Sequence, residues 1–137
     1  MLSPNAQAVL GEKETSIEQD RTKVHSAARV RTQSPHYTSH VLAGSLVTVT
    51  EFVNSDGVVF AVSWHGIIKP DLQSLLGSFY EEFHALDAAR ARTPSRHPTQ
   101  INTSKAVVLR SGHMRDIRGT AYIPSLVPAD VNIGTLN

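Results

Sequence analysis

The chain has 137 residues, 40% of them hydrophobic, and a formal net charge of +1. That is one domain's worth of sequence, with enough apolar material for one modest core and no global attraction to nucleic acid or membrane. The absence of cysteine excludes disulfides, thiolate metal sites and cysteine nucleophiles, and no apolar run approaches the ~18 residues a transmembrane helix needs.

Residues 1–14 read as a disordered start, short and polar with Pro4 and Gly11. Within it, Ala6-Gln7-Ala8 fits the small-x-small pattern of a signal-peptidase site, with cleavage before Val9. Leu2-Ser3-Pro4 then reads as the tail of an apolar leader segment, and the expectation is an exported product. Thr15 with Glu18 makes a capping-box pattern, so a short helix is expected from about Ser16 to His25. Arg29-Val30-Arg31 reads as a short extended piece.

From Tyr37 the texture turns to β. Tyr37 to Leu42 is rich in strand formers, Ala43-Gly44 is a turn signal, and Leu46 to Val53 is the next strand. Asn54-Ser55-Asp56-Gly57 is the clearest turn, followed by a strand from Val58 to His65. A three-residue loop would set Phe52 opposite Phe60. Thr48, Thr50, Phe52, Phe60, Val62 and Trp64 then share one face, and Val47, Val49, Val53, Val59 and Ala61 the other. With both faces apolar, this hairpin should be central in its sheet.

Asp71 is a good N-cap for a helix whose stripe is Leu72, Leu75, Leu76, Phe79, Phe83 and Leu86. Gly77 interrupts it, and Ser78 with Glu81 offers a second capping box, so one kinked helix or two consecutive ones are expected. Arg92 to Thr103 reads as a loop, Lys105 to Arg110 as a strand, and Ser111-Gly112-His113 as a turn. Met114 to Ile123 is the last strand, with Gly119 as a bulge candidate. Pro124 to Asn137 reads as an irregular tail.

The hairpin and its sequel carry a recognisable pattern. Its first block is Glu51-Phe52-Val53, Gly57, Val59-Phe60-Ala61-Val62-Ser63-Trp64-His65-Gly66, Pro70-Asp71-Leu72, Leu75-Leu76-Gly77 and Phe79-Tyr80. Its second is Ser111-Gly112-His113-Met114, Gly119, Ala121-Tyr122-Ile123-Pro124 and Pro128. In these motifs the chain resembles the domain-of-unknown-function 2844 family of small bacterial proteins made with signal peptides. The resemblance runs from about Leu10 onward, and departs where Ile67 stands in place of an expected Pro. It implies export to the periplasm or medium, and brings no activity and no catalytic residue with it.

The chemistry is sparse. Seven His are present, without the H-E-x-x-H spacing of a zinc helix. His36 and His40 sit at a loop-to-strand boundary, where a spacing of four does not put them on one face. His65 and His113, each at a strand end beside Gly, are the better candidates, and a metal site would need Glu51 or Asp116 as well. Ser111, His113 and Asp116 can be imagined as a hydrolytic trio, although triads are recognised by geometry, not sequence proximity. Residues 90–118 carry seven Lys and Arg against Asp116, net +6, while residues 51–87 carry six acids against Lys69, net −5. Arg110, Arg115 and Arg118 are therefore candidates for an anion-binding face, against the simpler expectation that the two segments neutralise each other. Phe52, Phe60, Trp64, Phe79, Tyr80 and Phe83 are expected at a helix–sheet interface rather than in a ligand pocket.

Together these readings give one α+β domain over residues 15–124, an antiparallel sheet of about five strands with one main helix on a face, and a tail over 125–137. The expected role is a non-enzymatic accessory or binding module of the bacterial envelope, periplasmic or secreted, calling for no cofactor or metal. Its partner would be an envelope protein or an anionic envelope component, with nucleic acid disfavoured by the lack of any recognised motif. The alternative is a small metal-assisted or hydrolytic enzyme using His65 and His113.

Overall fold

The computed structural model describes residues 10–13, 28–90 and 98–136, and among them a seven-stranded antiparallel sheet carries a helical rod on one face. In chain order the strands are β1 (Ala28–Gln33), β2 (Thr38–Ala43), β3 (Val47–Val53) and β4 (Val59–Gly66). After the helices α1 (Leu72–Leu76) and α2 (Tyr80–Ala89) come β5 (Thr99–Asn102), β6 (Val107–His113) and β7 (Asp116–Tyr122). The order across the sheet is β1-β2-β3-β4-β7-β6-β5. The chain meanders from one edge to the centre, crosses one face as helix, and returns from the far edge to pair β7 with β4. The β3–β4 hairpin is central, as its two apolar faces require.

Two of the seven strands exceed the five expected. Arg29-Val30-Arg31 belongs to the full strand β1. Thr99–Asn102, read as loop, is the edge strand β5, in which Ile101 is buried between exposed Gln100 and Asn102. Four residues are too short a run for alternation to stand out beside a Pro-rich stretch; pairing with β6 supplies what local propensity does not. The expected helix near Ser16–His25 lies outside the described residues, as does Ala6-Gln7-Ala8.

The β3–β4 register differs from the expected one in an informative way. The turn closes as expected: Gly57, at φ 76, donates its N–H to Asn54 O at 3.0 Å, and Val53 pairs with Val59. The register then shifts by one, so that Phe52 faces Ala61 rather than Phe60. Phe60 is the extra residue of a β-bulge, and a shift of one residue exchanges the faces of everything beyond it. Val62 and Trp64 thus join Val49, Val53 and Val59 in the core under the helix, while Phe52, Phe60 and Ala61 form a second cluster on the opposite face. Phe52 and Phe60 still meet, with ring centroids 6.3 Å apart, and Tyr37 packs edge-on to both.

The helical rod runs from Leu72 to Ala89 with a break in its backbone at Gly77, which ends α1 at φ 54 and ψ −118. Asp71 caps α1, accepting from the N–H groups of Gln73 and Ser74 at 3.1 and 3.4 Å. Gly77–Phe79 form a 3-10 turn joining α1 to α2, and the second capping box does not form, because the chain stays helical where a cap would need an extended residue. Leu75, Leu76 and Phe83 are buried against Val62, Trp64, Val108 and Ala121, each fully buried aliphatic being worth ~1.5–3 kcal/mol. Leu10 joins this core at 2% exposure, its N–H donating to Leu75 O at 3.0 Å, while Gly11 and Glu12 hydrogen-bond Val59. Residues 10–13 are therefore packed, not the end of a disordered start, because Leu10 fills the seam between α1 and the hairpin.

The C-terminal segment packs too. Short 3-10 turns at Pro124–Leu126 and Ile133–Thr135 lead Val127, Val131, Ile133 and Leu136 across the second face, where they cover Phe52 and Phe60. Among the described residues no helix is long and apolar enough to cross a membrane.

Candidate functional site

The face of the sheet away from the helix is only partly covered. Beyond the aromatic cluster, cross-strand pairing lines up two polar rows. Thr50 faces Ser63, which faces Thr120; one step along, Thr48 faces His65, which faces Arg118, which faces Ser111. These rows floor an open groove of about 740 Å³, rimmed by Pro98 on one side and by Ile133 and Gly134 of the tail on the other. Alternation along each strand creates the arrangement: Ser63 and His65 point away from the helix because Val62 and Trp64 point toward it.

At the end of the groove, Asp116 accepts hydrogen bonds from Arg118 Nε at 3.0 Å and meets His65 Nε2 at 3.1 Å, both through Oδ1. The Arg118 hydrogen bond and charge, aided by His65, hold the Asp116 carboxyl below its ordinary value of 3.8, against a smaller opposing effect of desolvation. All three side chains are about half exposed or more, so the cluster is a surface ion-pair network. No hydroxyl among the described residues hydrogen-bonds the His65 ring.

The turn that presents Asp116 begins three residues later than expected, at Met114 rather than Ser111. Strand β6 runs through Ser111-Gly112-His113, and the turn is Met114-Arg115, with Arg115 in the left-handed region at φ 68. Gly112 marks a close approach: a Cβ there would lie 2.6 Å from Asp116 O and 2.9 Å from Ile117 Cα.

His65 and His113 end on neighbouring stretches of the same sheet end, but His113 is the register partner of Asp116, while the carboxylate bonds His65. Ser111 and His113 therefore do not form a trio with Asp116. Glu51 cannot reach His65: it is 1% exposed, in register with Val62 on the opposite face, and its cross-strand neighbour on β2 is His40, at 0% exposure. His36 lies 3.7 Å from Asp130 of the tail. Among the described residues no three His, Asp or Glu side chains converge as metal ligands.

The three candidate arginines point in different directions, although Arg110 and Arg118 both line a small cleft at one end of the sheet. Arg110 turns to the helix, where Nη2 lies 2.5 Å from Asp87 Oδ1 and the guanidinium sits 5.2 Å from the Phe83 ring centroid. Arg118 lies on the groove floor, and Arg115 is at the turn tip. The acidic and basic segments meet at Asp87, which also lies 3.8 Å from Arg90. Of the six aromatics expected at the helix–sheet interface, Trp64, Phe79, Tyr80 and Phe83 are there, and Phe52 and Phe60 are on the other face.

Sequence reasoning missed the hydroxyl rows. It placed Thr48 and Thr50 on Trp64's face, since turn length alone does not show the bulge at Phe60. The available signal was the pairing of two polar alternations, Thr48/Thr50 and Ser63/His65, which only the bulged register brings onto one face.

No curated protein and no solved structure matches the chain. The family model described as "Protein of unknown function (DUF2844)" matches residues 6–136, nearly the whole length, and the chain belongs to that family.

Proposed function

We propose that the protein is a non-enzymatic binding module of the bacterial envelope, exported to the periplasm or beyond, whose ligand lies along the hydroxyl-bearing sheet face. The observation that carries this reading is the pair of cross-strand rows, Thr50–Ser63–Thr120 and Thr48–His65–Arg118, under a groove of about 740 Å³. A solvated face is ordinary for an antiparallel sheet, but this one is walled by a packed tail and carries hydroxyls at the ~4.8 Å strand spacing, with Thr48 and Thr50 half-buried and Ser63 and Thr120 deeper on the floor, at 8% and 5% exposure. That lattice suits a ligand with hydroxyls repeated along its length, such as a glycan strand. A compact anion suits it less, because Arg118 is already held by Asp116. Ala6-Gln7-Ala8 supports export, and cleavage before Val9 would leave the core residue Leu10 on the mature chain.

The test is calorimetric titration of soluble cell-wall glycan fragments into the wild type and into T50V/T120V. Two lost hydrogen bonds at ~1 kcal/mol each should weaken binding by about tenfold or more. Absence of glycan binding, or equal binding by the double variant, would count against the groove.

One observation favours a second reading, a small hydrolytic or metal-assisted enzyme: the His65–Asp116 contact at 3.1 Å is the kind that orients a catalytic or ligating imidazole. Metal analysis of untagged protein separates the two. Stoichiometric zinc lost in H65A would favour the enzyme.

A further inference from the structure

Large hydrophobic side chains are exposed at six described positions, and four of them gather at one end of the sheet: Leu46, Ile67, Ile68 and Met114. The register brings them together. Val47 pairs with Gly66, Gly66 with Ile117, and His113 with Asp116, so the β2–β3 turn, the exit from β4 and the β6–β7 turn share that end. Ile67 N–H donates to Leu46 O at 2.9 Å, tying two of the tips to each other. Met114 is 95% exposed at the apex of its turn, and the other three are 43–47% exposed.

Directly behind these tips lies a cleft of about 290 Å³ lined by Lys69, Arg90, Arg110, His113 and Arg118. The acids at this end are Asp71, which caps α1, Asp87, which holds Arg90 and Arg110, and Asp116, which holds Arg118. Five cations, counting Arg115 at the tip in place of His113, against three acids leave a net charge of +2 with His65 and His113 neutral. Among the described residues neither Lys69 nor Arg115 has an acidic partner within ion-pair distance. An apolar crest backed by unneutralised cations is the arrangement that lies on an anionic bilayer, with side chains at the headgroup–acyl boundary and the cations on phosphates.

We propose that this end of the sheet docks on an anionic lipid surface, with Leu46, Ile67, Ile68 and Met114 entering the interface and the Lys69 cleft taking a headgroup phosphate. The site goes beyond the groove reading; the two share Arg118, but their tests change different residues, Thr50 and Thr120 against Ile67, Lys69, Met114 and Arg115, so either can fail alone. The partner is fixed by charge complementarity: a neutral apolar partner would leave Lys69 and Arg115 unmatched, and a second copy would set like charges against each other.

The test is flotation of the protein with phosphatidylcholine vesicles, with and without phosphatidylglycerol, at low and high salt. The wild type should float only with phosphatidylglycerol and be released by salt. Met114→Ser with Ile67→Ser should weaken binding by about tenfold or more, Lys69→Glu with Arg115→Glu should abolish it, and T120V should bind like the wild type. Inorganic phosphate should not compete, as it lacks the apolar contact. Any of three results overturns the proposal: no flotation with either vesicle, flotation unchanged in both double variants, or a solution dimer dispersed by the serine variant with no vesicle binding.

Discussion

The Trp64 indole lies on the backbone of Gly119, its partner across the β4–β7 pair, so closely that a Cβ at residue 119 would lie 2.1 Å from Cζ2 and 2.3 Å from Cε2 of the ring. The glycine serves here by lacking a side chain, not by bulging the strand. Both neighbours are fixed, since β4 and β7 are central strands and Trp64 is 4% exposed beneath the helix. Gly119→Ala should therefore cost about 3 kcal/mol or more, at the upper end for overpacking. In urea titration its midpoint should fall sharply, and adding Trp64→Leu should recover part of the loss, a coupling that independent sites would not show. Strictly additive losses would contradict the packing account.

Asp116 supplies a pH-dependent prediction. Its folded value lies below its unfolded one, chiefly through the Arg118 hydrogen bond. A depressed acid contributes stability above its unfolded value, which is about 4, and loses it as pH falls through the folded value. Carboxyl NMR should place the Asp116 midpoint below 3.8, and in Arg118→Gln the midpoint should rise toward that value. An unmoved midpoint would show that the ion pair does not persist in solution.

The sequence was most legible where one residue's chemistry dominates. Asp71 caps because its carboxylate reaches two free N–H groups, and Leu75, Leu76 and Phe83 face the core because helical spacing leaves no other stripe. It was least legible where a long-range partner decides. Thr99–Asn102 is a strand only because β6 pairs with it. The bulge at Phe60 is a compromise between turn closure and burying Trp64 beneath the helix, and no window of residues around it contains the helix. Since that bulge puts Thr50, Ser63 and Thr120 on one surface, the candidate groove was hidden by the same long-range effect. His65 was found as a candidate from its place at a strand end, with Glu51 or Asp116 as its acidic companion, and the register of β7 decides for Asp116.

Arg110 joins the helix to the sheet by two different contacts, an ion pair with Asp87 at 2.5 Å and a cation–π approach to Phe83 at 5.2 Å. Both side chains of the ion pair are largely shielded, at 21% and 29% exposure, so it should be worth more than an open surface pair. Arg110→Met should destabilise by about 1–2 kcal/mol. Arg110→Lys should fall between, since it keeps the charge but loses the planar stack. Thermal unfolding of the three proteins checks the order, and equal stability of Lys and Met variants would assign the whole effect to the stack.

The C-terminal segment should matter to both stability and the groove. Leu136 is 2% exposed against the Phe52–Phe60 cluster, and Asn132 caps the last turn by accepting from Gly134 N–H at 2.9 Å. Asn54 ties the segment to the β3–β4 turn by donating to Leu126 O at 3.2 Å. Leu136→Ala should cost about 2–4 kcal/mol, as for other buried leucines, and should raise binding of an apolar dye as the aromatic cluster becomes accessible. Because Ile133 and Gly134 form one rim of the groove, the same variant should loosen that wall while leaving Thr50, Ser63 and Thr120 on their strands. Hydrogen exchange can separate the two effects: protection should fall in the β3–β4 turn and persist in the β4–β7 pairs. If β4 and β7 lost protection equally, the tail would be part of the central cooperative unit, not a cover laid over a finished sheet.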